Sequence, residues 1–117
     1  MEGKSYDLQE RLFAYAVAIL KFLPKLPYSP ENKVLRTQLA KSSTSSGANY
    51  EEAQGGCTKL EFSNRIKIST REMRESNYWL RLIKYTVREI DAAEVDISIN
   101  ESYELKKILG AISNKLK

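Results

Sequence analysis

Lys67-Ile68-Ser69-Thr70-Arg71-Glu72-Met73-Arg74-Glu75-Ser76-Asn77-Tyr78-Trp79-Leu80-Arg81-Leu82 lies inside a long run without proline or glycine. On a helical period its side chains sort onto three faces. Ser69, Met73 and Leu80 continue a near-heptad seam with Phe62, Ile66, Ile83, Val87 and Ile90, which is core by default. Ile68, Glu72, Glu75, Trp79 and Leu82 form a flank beside it. Lys67, Arg71, Arg74, Tyr78, Arg81, Tyr85 and Arg88 form a basic stripe interleaved with tyrosines. A helix in a simple monomeric bundle needs one buried face. A second sticky flank points to a partner chain, and a basic stripe points to a polyanion.

Working outward, this helix is expected from Lys59 to about Ala93, a length of about 50 Å. Its start is the best-marked boundary in the chain. Gly55-Gly56 closes the preceding helix, since glycine accepts the left-handed conformation past a helix end. Thr58-Lys59-Leu60-Glu61 then reads as a capping box. Cys57 sits in that turn as an ordinary small residue or, less simply, a reactive thiol near a helix start.

Upstream, Ser29-Pro30-Glu31 opens a helix with an N-cap, a first-turn proline and an acid at the positive pole. It should run to about Gln54. Ser42-Ser43-Thr44-Ser45-Ser46-Gly47-Ala48-Asn49 within it reads as a flexible linker on propensity alone. The helical reading has a mechanism: Leu35, Leu39, Ser42, Ser46, Asn49 and Ala53 share one stripe, and small residues there let a neighbouring helix come close. Asn49 on that stripe reads as a polar bridge between helices or as a ligand contact.

The first helix should cover Ser5 to Leu23, with Leu8, Leu12, Tyr15, Ala16, Ile19, Leu20 and Leu23 on one face and Pro24 and Pro27 stopping it. The last is expected from about Asn100 to Lys117, on the stripe Leu105, Ile108, Leu109, Ile112 and Leu116. Four amphipathic helices with short connections predict an all-α, antiparallel up-and-down four-helix bundle as a single domain over 1–117. A helical hairpin completed by oligomerisation is the alternative.

Composition narrows the function. The chain has 117 residues, 19 basic against 15 acidic, a net charge of +4 and no histidine. A Ser-His-Asp triad, a His-activated cysteine and Glu-x-x-His di-iron pairs are therefore excluded. Zinc sites built from Cys and His fail on count, with one cysteine. That lone cysteine fits a reducing compartment. No apolar run approaches a membrane span and no signal peptide is evident. The expected setting is cytoplasmic, with no membrane partner and no cofactor.

Two segments resemble the four-helix-bundle family of 23S rRNA-intervening sequence proteins. Gln38-Leu39 with Ser42 through Ala53 is similar to its small-residue helix. Lys67-Ile68-Ser69 with Arg71-Glu72, Arg74-Glu75 and Tyr78-Trp79-Leu80-Arg81-Leu82 is similar to its third helix. The resemblance spans about Ala14 to Lys117. It implies a bundle that assembles as a homopentamer, without established enzymatic activity. The accessory protein of diversity-generating retroelements, which binds a reverse transcriptase and nucleic acid, is a distant relative.

Each candidate site has a plainer reading. Ile68, Glu72, Glu75, Trp79 and Leu82 form a subunit interface or a wide core face with carboxylates at its edge. Lys67, Arg71, Arg74, Tyr78, Arg81, Tyr85 and Arg88 contact RNA or DNA through phosphate pairing and base stacking, or they form a solvated face paired to acids such as Glu75 and Glu89. Glu51-Glu52 and Glu72/Glu75 lack any nucleophile or phosphate loop beside them, so a metal-carboxylate enzyme is a minor hypothesis. The expectation is a non-enzymatic homo-oligomer associated with nucleic acid. The alternative is a scaffold whose partner is another protein.

Overall fold

The computed structural model describes residues 4–116, with side chains described from Asp7 onward. Among the described residues there are four α-helices: α1 (Lys4–Phe22), α2 (Pro30–Ala53), α3 (Lys59–Thr86) and α4 (Ala92–Lys115). The expected inclusion of Lys117 in the last helix lies outside the described residues.

The caps act as the sequence predicts. Ser29 Oγ accepts from Asn32 N at 3.0 Å. Thr58 Oγ1 accepts from Glu61 N at 3.1 Å while Glu61 Oε1 accepts from Thr58 N at 2.8 Å, closing both halves of the box. Those bonds hold the Glu61 carboxyl below its usual range. Gly56 adopts φ +86° in the turn. Beyond α1 a short 3-10 turn, Leu23–Lys25, carries the chain to α2, and Arg36 Nη2 donates to Leu26 O at 3.1 Å to brace it.

The α3–α4 boundary is a correction. α3 ends at Thr86 and α4 begins at Ala92, so the expected end near Ala93 and start near Asn100 both move towards the N-terminus. Val87 is extended, at φ −106° and ψ 118°, and Asp91 caps α4 by accepting from Ala93 N and Glu94 N. Asp91 with Glu94 three residues on was a legible start signal. Without glycine or proline nearby it was outweighed by the helical pattern. Ile90 and Arg88 therefore belong to the connection, although Val87 is still buried.

The helices form a closed cycle of neighbours, α1–α2, α2–α3, α3–α4 and α4–α1. Across α2–α3 and α3–α4 rising numbers pair with falling ones, as antiparallel helices require. Asn49 meets Arg65 and Ser46 meets Ser69; Asn77 meets Ser102 and Lys84 meets Asp96. The core holds Leu12, Ile19, Leu39, Ile66, Met73, Leu80, Ile83, Leu105 and Leu109, among others. Leu20, expected inside, is 48% exposed, and Leu116 is 40% exposed; Phe22 and Leu26 are buried instead.

Ser42 through Asn49 is helical. α2 and α3 make the most extensive pairing of the bundle. At its centre Ser46 Oγ donates to Ser69 O at 2.8 Å and Ser69 Oγ donates to Ser46 O at 2.7 Å. Each serine is fully buried. The hydroxyls bond across the seam, so the poor intrinsic helix propensity is offset by packing. Gly47 faces α1: an added Cβ would lie 3.4 Å from Leu12 Cβ, in ordinary contact.

Candidate nucleic-acid interface

The exposed stripe of α3 follows from the burial of its other side. Ile66, Ser69, Met73, Ser76, Asn77, Leu80 and Ile83 are buried, which turns Lys67, Arg71, Arg74, Tyr78, Arg81 and Tyr85 to solvent. Arg88 is exposed as well, but in the turn after the helix, so it does not continue the stripe. The solvated alternative has these charges paired to neighbouring acids such as Glu75 and Glu89. Among the described residues, the ion pairs join Arg11 to Glu101 and Glu104, Lys25 to Glu94, and Lys84 to Asp96. None involves a cation of the stripe.

Arg81 is the cation of the stripe held by both a ring and a side-chain hydrogen bond. Its guanidinium lies 5.7 Å from the Tyr78 ring centroid, and its Nε donates to Asn77 Oδ1 at 3.0 Å. Asn77 is buried and donates through Nδ2 to Ser102 Oγ at 2.9 Å, and Ser102 Oγ donates to Ile99 O at 2.8 Å. Deeper still, the Tyr15 hydroxyl shares a short hydrogen bond with Ser76 Oγ. Burial pushes the Tyr15 phenol well above its usual range, against the opposing hydrogen bonds from Ser76 and Ser102. A chain of polar groups thus runs from the core to a surface arginine. Sequence reasoning missed Asn77 and Ser102. The signal was present, since a polar residue on an inward stripe has to be paired.

Tyr85 is 81% exposed, with Lys84 Nζ 5.8 Å from its ring centroid. Two tyrosines two turns apart, each beside a cation, can offer ring faces to bases and charges to phosphates.

The flank of Ile68, Glu72, Glu75, Trp79 and Leu82 is intermediate in character. Ile68, Glu72, Trp79 and Leu82 are half-buried and Glu75 is exposed. Trp79 packs against the core, and its Nε1, shielded from solvent, has no hydrogen-bond partner among the described residues. The Glu72 carboxyl is raised, first by burial and then by Glu75, with Lys41 and Arg71 opposing. Asn49 bridges helices: its amide donates to Ser45 O at 2.9 Å and its Oδ1 accepts from Arg65 Nη1 at 2.9 Å.

Among the described residues, no three Asp, Glu or Cys side chains are grouped as a metal would require, and no helix is long and apolar enough to cross a membrane. A cleft of about 510 Å³ is lined by Leu8, Tyr50, Ile108 and Ile112, with Asp7, Arg11 and Lys115. Its arginine is already paired to Glu101 at 2.7 Å.

These features define a class: small antiparallel helical bundles that present a charged, aromatic face. The chain belongs to the 23S rRNA-intervening sequence protein family, whose model matches residues 4–111. It is similar to a crystallised protein of unknown function from the S23 ribosomal protein family of Bacteroides thetaiotaomicron. The two share 29% identity over 91% of this chain and 97% of that chain, with a TM-score of 0.80. No curated protein matches the chain.

Proposed function

We propose that this protein is a non-enzymatic, cytoplasmic homo-oligomer that associates with RNA or DNA through the basic stripe of α3. The observation that carries the reading is electrostatic: Lys67, Arg71, Arg74 and Arg81 are exposed and outside every ion pair among the described residues. Cations outside ion pairs are available to phosphates, and binding them releases condensed counterions. The family's description refers to 23S rRNA, which supports the nucleic-acid reading. The flank around Trp79 supports self-association, with a pentamer as the expected ring. A ring repeats the stripe and turns weak contacts into avidity.

A second reading has its own observation. The half-buried Ile68, Trp79 and Leu82 suit a different protein partner, with no nucleic-acid role.

Fluorescence anisotropy separates the two. The wild type should bind oligonucleotides at low salt and lose affinity steeply as salt rises. Arg74→Glu with Arg81→Glu should abolish binding and leave the oligomer intact by light scattering. Absence of wild-type binding at low salt removes the nucleic-acid reading; a monomer at micromolar concentration removes the oligomer.

A further inference from the structure

α4 carries a second basic and aromatic row. Tyr103 is 51% exposed, and the ammonium groups of Lys106 and Lys107 lie 4.9 and 5.0 Å from its ring centroid. Its place in the bundle follows from register. Asp96, which pairs with Lys84 of α3 at 2.7 Å, precedes Tyr103 by two helical turns. Both residues therefore project from the side of α4 that borders α3. From the Asn77–Ser102 bond, one turn back along α3 reaches Arg74 and one turn on along α4 reaches Lys106. Arg74 and Lys106 thus stand level on two adjacent helices. Arg81 sits at the same border, because Asn77, which binds its Nε, also binds Ser102.

Apart from Asp96, which Lys84 neutralises, the paired acids of α4 are disposed on its other side. Glu101 and Glu104 meet Arg11 of α1, and Glu94 meets Lys25. Among the described residues, Lys106 and Lys107 join no ion pair, as Arg74 and Arg81 join none. The α3–α4 face therefore carries two parallel rows of cations with an exposed tyrosine in each.

We propose that this face is a track for a single strand of nucleic acid, with phosphates along Arg74, Arg81, Lys106 and Lys107 and bases stacked on Tyr78 and Tyr103. The proposal rests on the nucleic-acid reading above and extends it to α4 and to strandedness. Axes of packed helices lie about 8–10 Å apart, so the two rows are spaced to run on either side of one strand. A tyrosine ring stacks only on a base whose face is free, and a duplex hides those faces in its own stack. Phosphates and ring faces are common to RNA and DNA, so the track accepts strands of either kind.

The test is anisotropy on the full-length protein with one mixed sequence as single-stranded RNA, single-stranded DNA and RNA duplex. Both strands should bind within a few-fold of each other, and the duplex at least about tenfold more weakly, the range that one lost stacking contact covers. Tyr103→Ala should weaken strand binding about tenfold, whereas Tyr103→Phe, which keeps the ring, should bind as the wild type. Lys106→Gln with Lys107→Gln should lower the salt slope by about 1.4, at about 0.7 per lost phosphate contact on a single strand. If Tyr103→Ala fails to fold by circular dichroism, the lysine pair and Tyr103→Phe carry the test. A duplex bound as tightly as the strands overturns the proposal. So does wild-type affinity and salt slope in the α4 lysine variant while Arg74→Glu with Arg81→Glu abolishes binding; the α3 reading then survives alone. Absence of wild-type binding to every oligonucleotide removes both.

Discussion

Replacing Ser46 tests why α2 is a helix at all. Two substitutions act on the seam in different ways. Ser46→Ala removes the hydroxyl that donates to Ser69 O at 2.8 Å. One such bond is worth about 1 kcal/mol net. The Ser69 carbonyl keeps its place in the helix ladder, so no buried acceptor is orphaned. Alanine is also the better helix former, returning about 0.5 kcal/mol. The expected loss is therefore about 0.5 kcal/mol. Ser46→Leu loses the same bond and adds bulk where the two helices are held by a reciprocal pair of hydrogen bonds at 2.8 and 2.7 Å. Overpacking costs about 1–3 kcal/mol, so the sum is about 3 kcal/mol. At about 4 °C per kcal/mol for a chain of this size, the shifts are about 2 °C and about 12 °C. Thermal melts followed by circular dichroism, with protein concentration fixed, give both numbers. A Ser46→Leu variant melting within about 2 °C of the wild type would falsify the close-approach argument. Equal damage from both variants would show that hydrogen bonding, not space, holds the seam.

Gly47→Ala should stabilise by about 0.5–1 kcal/mol, because the added Cβ meets Leu12 Cβ at ordinary contact distance; a lowered melting temperature refutes this. Trp79→Ala should cost about 2–3 kcal/mol, somewhat less than a fully buried aromatic, while Trp79→Phe should be nearly neutral since the lost N–H has no partner among the described residues; urea titration beside light scattering shows whether the loss falls on the fold or on assembly. Glu72 has a raised pKa, first from burial, so its folded form holds a proton more readily than its unfolded form. Its stabilising influence is present at low pH and lost as pH rises through the folded value. Glu72→Gln should therefore melt higher than wild type at neutral pH, and the difference should vanish below about pH 4; a constant difference across that range counts against it. The Tyr15 phenol is also raised by burial, so stability should fall as pH climbs past about 10, and Tyr15→Phe should flatten that alkaline decline in pH-dependent melts.

Local chemistry determined much by itself. Ser29-Pro30-Glu31 and Thr58-Lys59-Leu60-Glu61 encode caps that act within three residues, so they were legible without a fold. The faces of α3 were legible because helical periodicity assigns each residue its angle before any neighbour is known. Tertiary structure decided what depends on register between helices. It placed the α3–α4 turn at Val87, where the helical pattern continued but Asp91 could cap a new helix. It turned Leu20 out and Leu26 in, because burial depends on where neighbouring helices lie. It fixed which charges are neutralised: Glu101 and Glu104 meet Arg11 about ninety positions away, leaving Lys106 and Lys107 outside any ion pair among the described residues. It also set Arg81 through Asn77 and Ser102, twenty-five residues apart. A helical wheel gives each side chain a direction, but only the packed bundle gives it a neighbour, and the α4 row becomes part of the α3 face through that neighbour alone.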